Sequence, residues 1–418
     1  MIGGTDDTGG SASKEWKGDL RDLAAGIASR LRQAGNRIER VIDRDPYHIV
    51  GYRGYATAGR ALVQGRVLED EGLRPADLVH SDWRNLLDAL RRLESDPLPF
   101  ARVRAHFGGH TSDLVADDEG FLREWIPLAQ PLTAGWQPIQ LELLGAEHAT
   151  APSATAPSAT APSATAPSAT APVLHPATGA SFGVVSDLDD TVLQSEVRHF
   201  LRAARIVLLE NARTRLPFPG VAEFYRALRG TQADGGGNPI FYVSSSPWNL
   251  YDVISNFLDQ QRIPAGPLLL RDWDFGRSMF GHRQYKSERI AEVLEAYPAL
   301  PFILIGDSAQ EDPEIYADVV QRYPGRVLAV YVRNVTAHPG RSAALRELAK
   351  RVVDAGSSMV LADDTLAAAR HAAEHGWIAT AALPAIGADK REDEDGPAKV
   401  DAPGVDPREQ GPTLVVEE

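Results

Sequence analysis

The sequence Phe-Gly-Val-Val-Ser-Asp-Leu-Asp-Asp-Thr, at residues 182–191, decides the fold of the larger part of the chain. It joins an apolar run of strand length to a group of carboxylates. Further apolar runs at 240–243, 302–305 and 327–332 are typical of buried strands, and helical patterns separate them. Buried strands that alternate with helices form a parallel sheet covered by helices on both faces. We therefore predict an α/β fold with a Rossmann-like parallel sheet over residues 177–384.

Acidic residues follow two of these runs, at the positions where a parallel sheet binds its ligands. Asp187 and Asp189 follow the first run, and Asp307 and Asp312 follow the third. Because ligands of such sheets bind beyond the carboxyl ends of the strands, we expect these carboxylates to meet there. Like charges a few ångströms apart raise one another's pKa unless a cation compensates them. A few carboxylates with room for water select Mg²⁺, which is therefore the predicted cofactor.

A magnesium ion would draw a phosphate group into this acidic site. One carboxylate beside the metal can attack phosphorus, and a second, two residues along the chain, can handle the proton of the leaving group. The Ser244 hydroxyl with nearby backbone N–H groups, and the Lys286 ammonium, can hold the non-bridging oxygens. We therefore predict that Ser244, Ser245 and Lys286 bind the phosphate of the substrate.

Taken in order, these residues resemble the four motifs of the haloacid-dehalogenase-type phosphohydrolases. The matching residues are Asp187-x-Asp189-x-Thr191, Ser244, Lys286 and Asp307-x-x-x-x-Asp312. The resemblance implies that Asp187 is the nucleophile that forms an aspartyl-phosphate, and that Asp189 is the general acid and then the general base. It also implies that Mg²⁺ is held by the Asp187 side chain, the Asp189 main-chain carbonyl and Asp307, with Asp312 supporting Lys286 or the metal shell. The predicted catalytic residues are thus Asp187, Asp189, Thr191, Ser244 and Lys286.

Three longer sequence segments make the family resemblance more specific. Residues 186–192, 242–250 and 305–316 are similar to those of the actin-patch-protein type of phosphatidate phosphatase, whose catalytic motifs resemble those of the lipins. The likeness covers the predicted catalytic domain nearly throughout and the preceding region more loosely. It implies an enzyme that removes phosphate from phosphatidate and leaves diacylglycerol, with Mg²⁺ as cofactor. Two alternatives stay open: a phosphatase of the same mechanism acting on a soluble phosphomonoester or phosphoprotein, and a non-catalytic lipid-binding module.

The composition excludes several other classes of protein. The 418 residues include 43 Lys and Arg against 57 Asp and Glu, a formal charge of −14, and no cysteine. The lack of cysteine excludes thiol-nucleophile phosphatases and Cys-ligated metal sites, and the acidic balance argues against a nucleic-acid partner. No secretory signal and no apolar run of membrane-spanning length is present. We therefore expect a cytoplasmic protein that is either soluble or meets the anionic inner face of the membrane from the side.

The local composition divides the chain into five segments. Ala-Pro-Ser-Ala-Thr occurs four times in succession from residue 151 to residue 170, which is typical of an extended, solvated spacer. The predicted segments are a polar N-terminus with an amphipathic helix (1–44), a smaller β-rich, sandwich-like accessory domain (45–148), the repeat linker (149–176), the haloacid-dehalogenase-like catalytic domain (177–384) and a disordered acidic tail (385–418).

Two further groups of residues have competing interpretations. Trp248, Trp273 and Phe275 could line the mouth of the site or touch lipid, but aromatic residues at such positions also pack in cores. His371 and His375 lie in a pattern that some zinc proteases share. Too little chain follows them to supply a further ligand, so we interpret the pair as part of an ordinary helix.

Overall fold

The structure is a computed structural model. It describes residues 47–69, 97–145, 167–188, 219–230, 237–271, 282–308, 311–333, 339–395 and 414–416. The predicted N-terminal amphipathic helix and most of the Ala-Pro-Ser-Ala-Thr repeat lie outside these residues. Within them, no helix is long and apolar enough to cross a membrane.

The described strands of the N-terminal half form one mixed sheet. They are β1 Tyr47–Ala56, β2 Arg60–Glu69, β3 Arg102–Phe107, β4 His110–Val115, β5 Phe121–Pro127, β6 Gly135–Leu143 and β7 Ser168–His175. Their order is β4-β3-β6-β7-β1-β2-β5, and all pairs are antiparallel except β1 with β7. This region is β-rich as predicted, and its seven strands form one continuous hydrogen-bonded sheet.

Strand β7 makes the sheet continuous. Ser168–His175 lies between β6 and β1 and joins two groups of three strands that would otherwise be separate. The strand begins inside the fourth Ala-Pro-Ser-Ala-Thr repeat, although the sequence predicted a solvated spacer as far as residue 176. The small side chains suit this position because β1 approaches closely: a Cβ added at Gly51 would lie 2.3 Å from the carbonyl oxygen of Thr170. Pairing with two neighbouring strands therefore overrides the local composition.

The second sheet is the predicted parallel one. Its strands are β8 Gly183–Asp187, β9 Ile240–Pro247, β10 Leu268–Arg271, β11 Phe302–Asp307, β12 Val327–Arg333, β13 Ser358–Ala362 and β14 Leu414–Val416. The order is β10-β9-β8-β11-β12-β13-β14, and every pair is parallel except the last.

Helices cover both faces of this sheet. They are α1 Val221–Arg229, α2 Tyr251–Gln260, α3 His282–Ala296, α4 Asp312–Arg322, α5 Pro339–Asp354, α6 Thr365–Glu374 and α7 Leu383–Asp395. Alternate residues of each strand face opposite sides. Val184 thus belongs to a core with α1, α2, α6 and α7, and Val185 belongs to a second core with α3, α4 and α5.

The segment after residue 384, which the sequence predicted to be disordered, contributes structure to the sheet. Helix α7 continues to Asp395, and β14 pairs antiparallel with β13. Ile386 of α7 is fully buried, and the Lys390 ammonium lies 2.6 Å from a carboxylate oxygen of Asp364. The acidic composition led to the wrong prediction because only one face of this helix packs inward, so most of its residues are polar.

Candidate active site

The site lies where the path of the chain through the parallel sheet changes direction. From β8 the chain proceeds outward through β9 to β10, and it then crosses to β11 on the other side of β8. The loops that follow β8 and β11 therefore diverge and leave a crevice beyond their carboxyl ends, which is where α/β sheets bind ligands. Ile305 of β11 pairs with Ser186 of β8. Asp187 and Asp307 are the last residues of these two strands, so they lie near each other at the same edge of the sheet.

Three of the predicted carboxylates meet in this crevice. Asp187, Asp307 and Asp312 are buried, and each contributes an oxygen that lies within 4.8 Å of the other two. Asp312 is the first residue of α4, and its Oδ2 accepts a hydrogen bond from the Asp307 N–H at 3.4 Å. In the described part of the chain, this is the one group of three or more acidic or histidine side chains placed to hold a metal ion.

A glycine makes room for this arrangement. A Cβ added at Gly306 would lie 2.6 Å from Oδ2 of Asp312 and 2.9 Å from the ring of Tyr316. Contacts this short force a displacement of the neighbouring groups. The glycine that precedes Asp307 is therefore required for α4 to bring Asp312 against the strand.

Lys286 supplies a positive charge to the group. It lies on α3 and is 5% exposed, and its ammonium is 2.6 Å from Oδ1 of Asp187 and 3.0 Å from Oδ1 of Asp312. These four side chains come from β8, α3, β11 and α4, which are separated by up to 125 residues along the sequence. The sequence prediction that they converge agrees with their positions in the structure.

Ser244 lies on the side of Asp187 opposite Asp307, because β9 and β11 flank β8 on its two sides. Val243 pairs with Asp187 across β8 and β9, and the N–H of Leu188 donates to the Val243 carbonyl at 3.3 Å. Ser244 is fully buried, and its hydroxyl accepts a hydrogen bond from the N–H of Ser246 at 2.9 Å. Ser245, between them, is half-buried. The hydrogen bond from the Ser246 N–H to the Ser244 hydroxyl closes an ST turn in the last part of β9, and we call residues 244–246 the serine turn.

A tyrosine that the sequence reasoning missed supports the strand that carries Asp187. The hydroxyl oxygens of Tyr225, on α1, and Ser186 lie 2.6 Å apart, and the Ser186 hydroxyl also donates to the Asp187 carbonyl at 2.9 Å. Burial raises the pKa of the Tyr225 phenol well above its ordinary value, so it stays protonated. No motif spacing marks Tyr225, because its contact depends on how α1 packs across the sheet.

Other predicted residues lie elsewhere or outside the described part of the chain. Asp189, Thr191, Trp273 and Phe275 lie outside it. Trp248 is 3% exposed and stacks on Tyr52, so the packing interpretation is right for this residue.

The two histidines of the zinc-protease pattern also have structural surroundings. His371 is buried, and its Nδ1 lies 2.9 Å from the hydroxyl of Tyr331. His375 stacks on Trp377 with ring centroids 4.7 Å apart. Among the described residues neither histidine belongs to a metal-binding group.

Comparison with known proteins agrees with the motif resemblance. Residues 182–334 match the family described as "Phosphatidate phosphatase APP1, catalytic domain". Phosphatidate phosphatase APP1 of Saccharomyces cerevisiae is 30% identical over 155 residues, which cover 36% of this chain and 25% of that protein. An uncharacterized protein of Schizosaccharomyces pombe is 26% identical over 156 residues, with the same coverage of 36% and 25%. The chain thus spans about a quarter of the length of these curated relatives.

A solved structure adds nothing to this comparison. A carbohydrate acetylesterase from Xanthomonas citri aligns with 72% of this chain and 71% of its own at 12% identity. Its TM-score of 0.23 is too low to bear on the fold.

The fold and the family match together indicate the class: the C-terminal half of the chain contains a domain similar to a phosphatase catalytic domain. More particularly, residues 182–334 are similar to the catalytic domain of APP1-type phosphatidate phosphatases. The resemblance to the actin-patch-protein type of phosphatidate phosphatase is therefore confirmed.

Proposed function

We propose that this protein is a Mg²⁺-dependent phosphatidate phosphatase that hydrolyses phosphatidate to diacylglycerol and phosphate through an aspartyl-phosphate. The observation that carries the proposal is the position of Asp187. It is buried at the direction change of the sheet, 2.6 Å from Lys286 and beside two further aspartates, in a domain that matches this family. We also propose that the fold is of the haloacid-dehalogenase type. The proposal is supported by Asp187, Lys286, Asp307 and Asp312, which lie together at one edge of the parallel sheet.

In the first step, a carboxylate oxygen of Asp187 attacks phosphorus. The bond from phosphorus to the glycerol oxygen breaks, and Asp189 donates the proton that the leaving alkoxide needs. In the second step, Asp189 removes a proton from a water molecule, whose oxygen attacks the phosphorus. The acyl-phosphate bond then breaks, and phosphate and the Asp187 carboxylate are regenerated. The role given to Asp189 rests on the motif resemblance, whereas the role of Asp187 also rests on its contacts.

Lys286 and the serine turn hold the phosphate during both steps. The ammonium of Lys286 lies within ion-pair distance of Asp187, so it can contact a non-bridging oxygen of the phosphate whose phosphorus Asp187 attacks. Ser244 and Ser245 lie in the last part of β9, next to Asp187, where their hydroxyl and backbone N–H groups would contact the phosphate from the side opposite Lys286. Donors fixed in this way stabilise the charge that moves onto the non-bridging oxygens.

The donor set fits a magnesium ion. Three buried carboxylates lie within 4.8 Å of one another. Among the described residues, the ammonium of Lys286 is the positive charge that forms ion pairs with them. All the side-chain donors are oxygens, which hard divalent cations prefer. Asp187, Asp307 and the Asp189 carbonyl would hold the ion, while Asp312 already contacts Lys286 and the Asp307 N–H. When bound, Mg²⁺ neutralises phosphate charge that an acidic site would otherwise repel.

The substrate implies where the protein works. Phosphatidate and diacylglycerol reside in bilayers, so the active site would act at an anionic membrane surface on its cytoplasmic side. One observation favours the alternative of a soluble phosphomonoester: Trp248, one of the aromatic residues expected at the mouth, is buried and cannot touch lipid. The experiment therefore has to compare both classes of substrate.

The test measures phosphate release from phosphatidate in mixed vesicles and from a panel of soluble phosphomonoesters, with Mg²⁺ or with EDTA. We expect phosphatidate to be preferred, EDTA to abolish turnover, and Asp187→Asn to lower it by about a thousandfold or more. Asp318→Asn on α4 is the matched control, because its carboxylate is exposed and pairs with Arg283 outside the site. Full activity of Asp187→Asn would overturn the mechanism. A preference for soluble esters by orders of magnitude would overturn the substrate alone.

A further inference from the structure

The β-rich region packs directly behind the turn that carries the active-site serines. Tyr52, on β1, is 5% exposed and stacks on Trp248, with ring centroids 5.3 Å apart and planes within 3°. It also stacks on Tyr251, with centroids 4.1 Å apart. Trp248 follows Ser246 by two residues and begins a short 3-10 turn, and Tyr251 begins α2. One side chain of the first sheet thus covers the chain that leaves the serine turn.

Neighbouring contacts strengthen this support. The hydroxyl of Tyr251 accepts a hydrogen bond from the backbone N–H of Arg53 at 2.7 Å, and the ring of Phe121, on β5, lies 6.4 Å from that of Trp248. Helix α2 has Leu250 at its N-cap position and no side-chain hydrogen bond there. Because local capping does not fix the start of this helix, tertiary packing has to fix it.

A β-bulge brings a second tyrosine of β1 to the same interface. Regular alternation would turn residues 52 and 55 to opposite faces of the strand. The register with β2 shifts between Tyr52 and Tyr55, so both point toward the catalytic domain. A Cβ added at Gly54, between them, would lie 2.0 Å from the Leu62 carbonyl oxygen, so the bulge depends on this glycine.

The two tyrosines support opposite ends of β9. Tyr55 is fully buried and meets Phe241, near the start of β9, with ring centroids 5.4 Å apart. Its hydroxyl lies 3.0 Å from Oε1 of Glu292 on α3. Tyr52 meets the residues that follow the carboxyl end of β9, where the serines lie. The two tyrosines therefore allow a matched comparison: Tyr52 packs near the serines and Tyr55 packs at the far end of the same strand.

We infer that Tyr52 is a positioning residue for the phosphate-binding turn, which it holds through Trp248 and Tyr251. The β-rich region is then part of the catalytic unit and does not serve as a separable docking module. The inference rests on the proposed function only in taking Ser244 and Ser245 as phosphate ligands. If these rings fix the turn, loss of the Tyr52 ring loosens the backbone from Ser244 onward, and a displacement of about 1 Å there can lower the rate by up to about a hundredfold.

The test compares Tyr52→Leu, Tyr52→Phe and Tyr55→Leu in the full chain by hydrogen–deuterium exchange of the amides of residues 244–246 and 248–251. We expect at least about tenfold faster exchange in Tyr52→Leu and near-normal exchange in the other two, because Phe keeps the stacked ring and Tyr55 lies at the other end of β9. Inhibition of turnover by inorganic phosphate should weaken by about tenfold in Tyr52→Leu and recover in Tyr52→Phe.

Equal exchange in Tyr52→Leu and Tyr55→Leu would overturn the inference. If a leucine variant does not fold, Tyr52→Met and Tyr55→Met provide the same comparison with a side chain of similar volume that adapts better to the space left by the ring. If the wild type neither releases phosphate nor binds it, the proposed function fails. Exchange then still decides whether Tyr52 holds the turn.

Discussion

Replacement of Lys286 by methionine tests whether the buried carboxylates need the lysine ammonium to compensate their negative charge. The Lys286 ammonium lies 2.6 Å from Asp187 and 3.0 Å from Asp312, and its side chain is 6% exposed. With an effective dielectric constant of about 20, each pair attracts by about 6 kcal/mol before the loss of hydration is counted. Removal of one partner of a buried ion pair has a net cost of about 3–5 kcal/mol, because the remaining charges stay buried without compensation.

We therefore expect Lys286→Met to lower the free energy of unfolding by about 3–5 kcal/mol in EDTA, as measured by urea denaturation. Mg²⁺ should restore part of the loss, since a divalent cation would supply the positive charge that the ammonium provided. Lys350→Met is the control, because its side chain is 65% exposed and its ammonium pairs with Glu347 across one turn of the same helix. It should leave the denaturation midpoint near that of the wild type.

A second substitution makes the result specific to charge. Asp312→Asn in the Lys286→Met background removes one of the uncompensated carboxylates, so it should recover part of the stability. Equal stability of Lys286→Met and the wild type in EDTA would refute the reasoning, because the carboxylates would then not need the ammonium. A loss that Mg²⁺ leaves unchanged would show that the cluster does not bind the ion.

Three further predictions follow from single contacts. Gly306→Ala places a methyl group 2.6 Å from Asp312, so it should lower stability by about 1–3 kcal/mol in urea denaturation and lower phosphate release as well; normal activity would contradict the packing of α4. Tyr225→Phe removes the hydroxyl 2.6 Å from Ser186 and should cost about 1 kcal/mol in the same assay, whereas an unchanged midpoint would show that the contact adds nothing. Burial raises the pKa of Asp364, but hydrogen bonds from the ammonium on α7 and from a backbone N–H outweigh it and leave the pKa below its usual range. The stability that this carboxylate contributes is therefore present above about pH 4 and is lost as the pH falls through the lowered pKa. The difference in melting temperature between wild type and Asp364→Asn should shrink in that range. A difference that stays constant with pH would contradict the lowered pKa of Asp364.

The sequence was sufficient to predict where the described site residues meet. Asp187 and Asp307 each follow an apolar run, and parallel strands place the ends of such runs at one edge of a sheet. Lys286 and Asp312 were found by motif order. The position of Tyr225 could not be predicted in this way, because it depends on the side on which α1 crosses the sheet.

The failures of prediction share one physical cause. Strand β7 and helix α7 have compositions typical of solvated chain, and each is held by pairing or packing with elements distant in sequence. The bulge that turns Tyr52 and Tyr55 to the same side likewise depends on close contact between β1 and β2 at Gly54. Local patterns carry no information about such neighbours.

The central claim is that Asp187 becomes phosphorylated, and rapid acid quenching tests it most directly. The protein is mixed with phosphatidate that carries a radiolabelled phosphate, quenched in acid within milliseconds and digested to peptides. The account predicts transient label on the peptide that contains Asp187, present with Mg²⁺, absent with EDTA and absent in Asp187→Asn. Normal phosphate release without any label on the protein, or label that persists in Asp187→Asn, would contradict it.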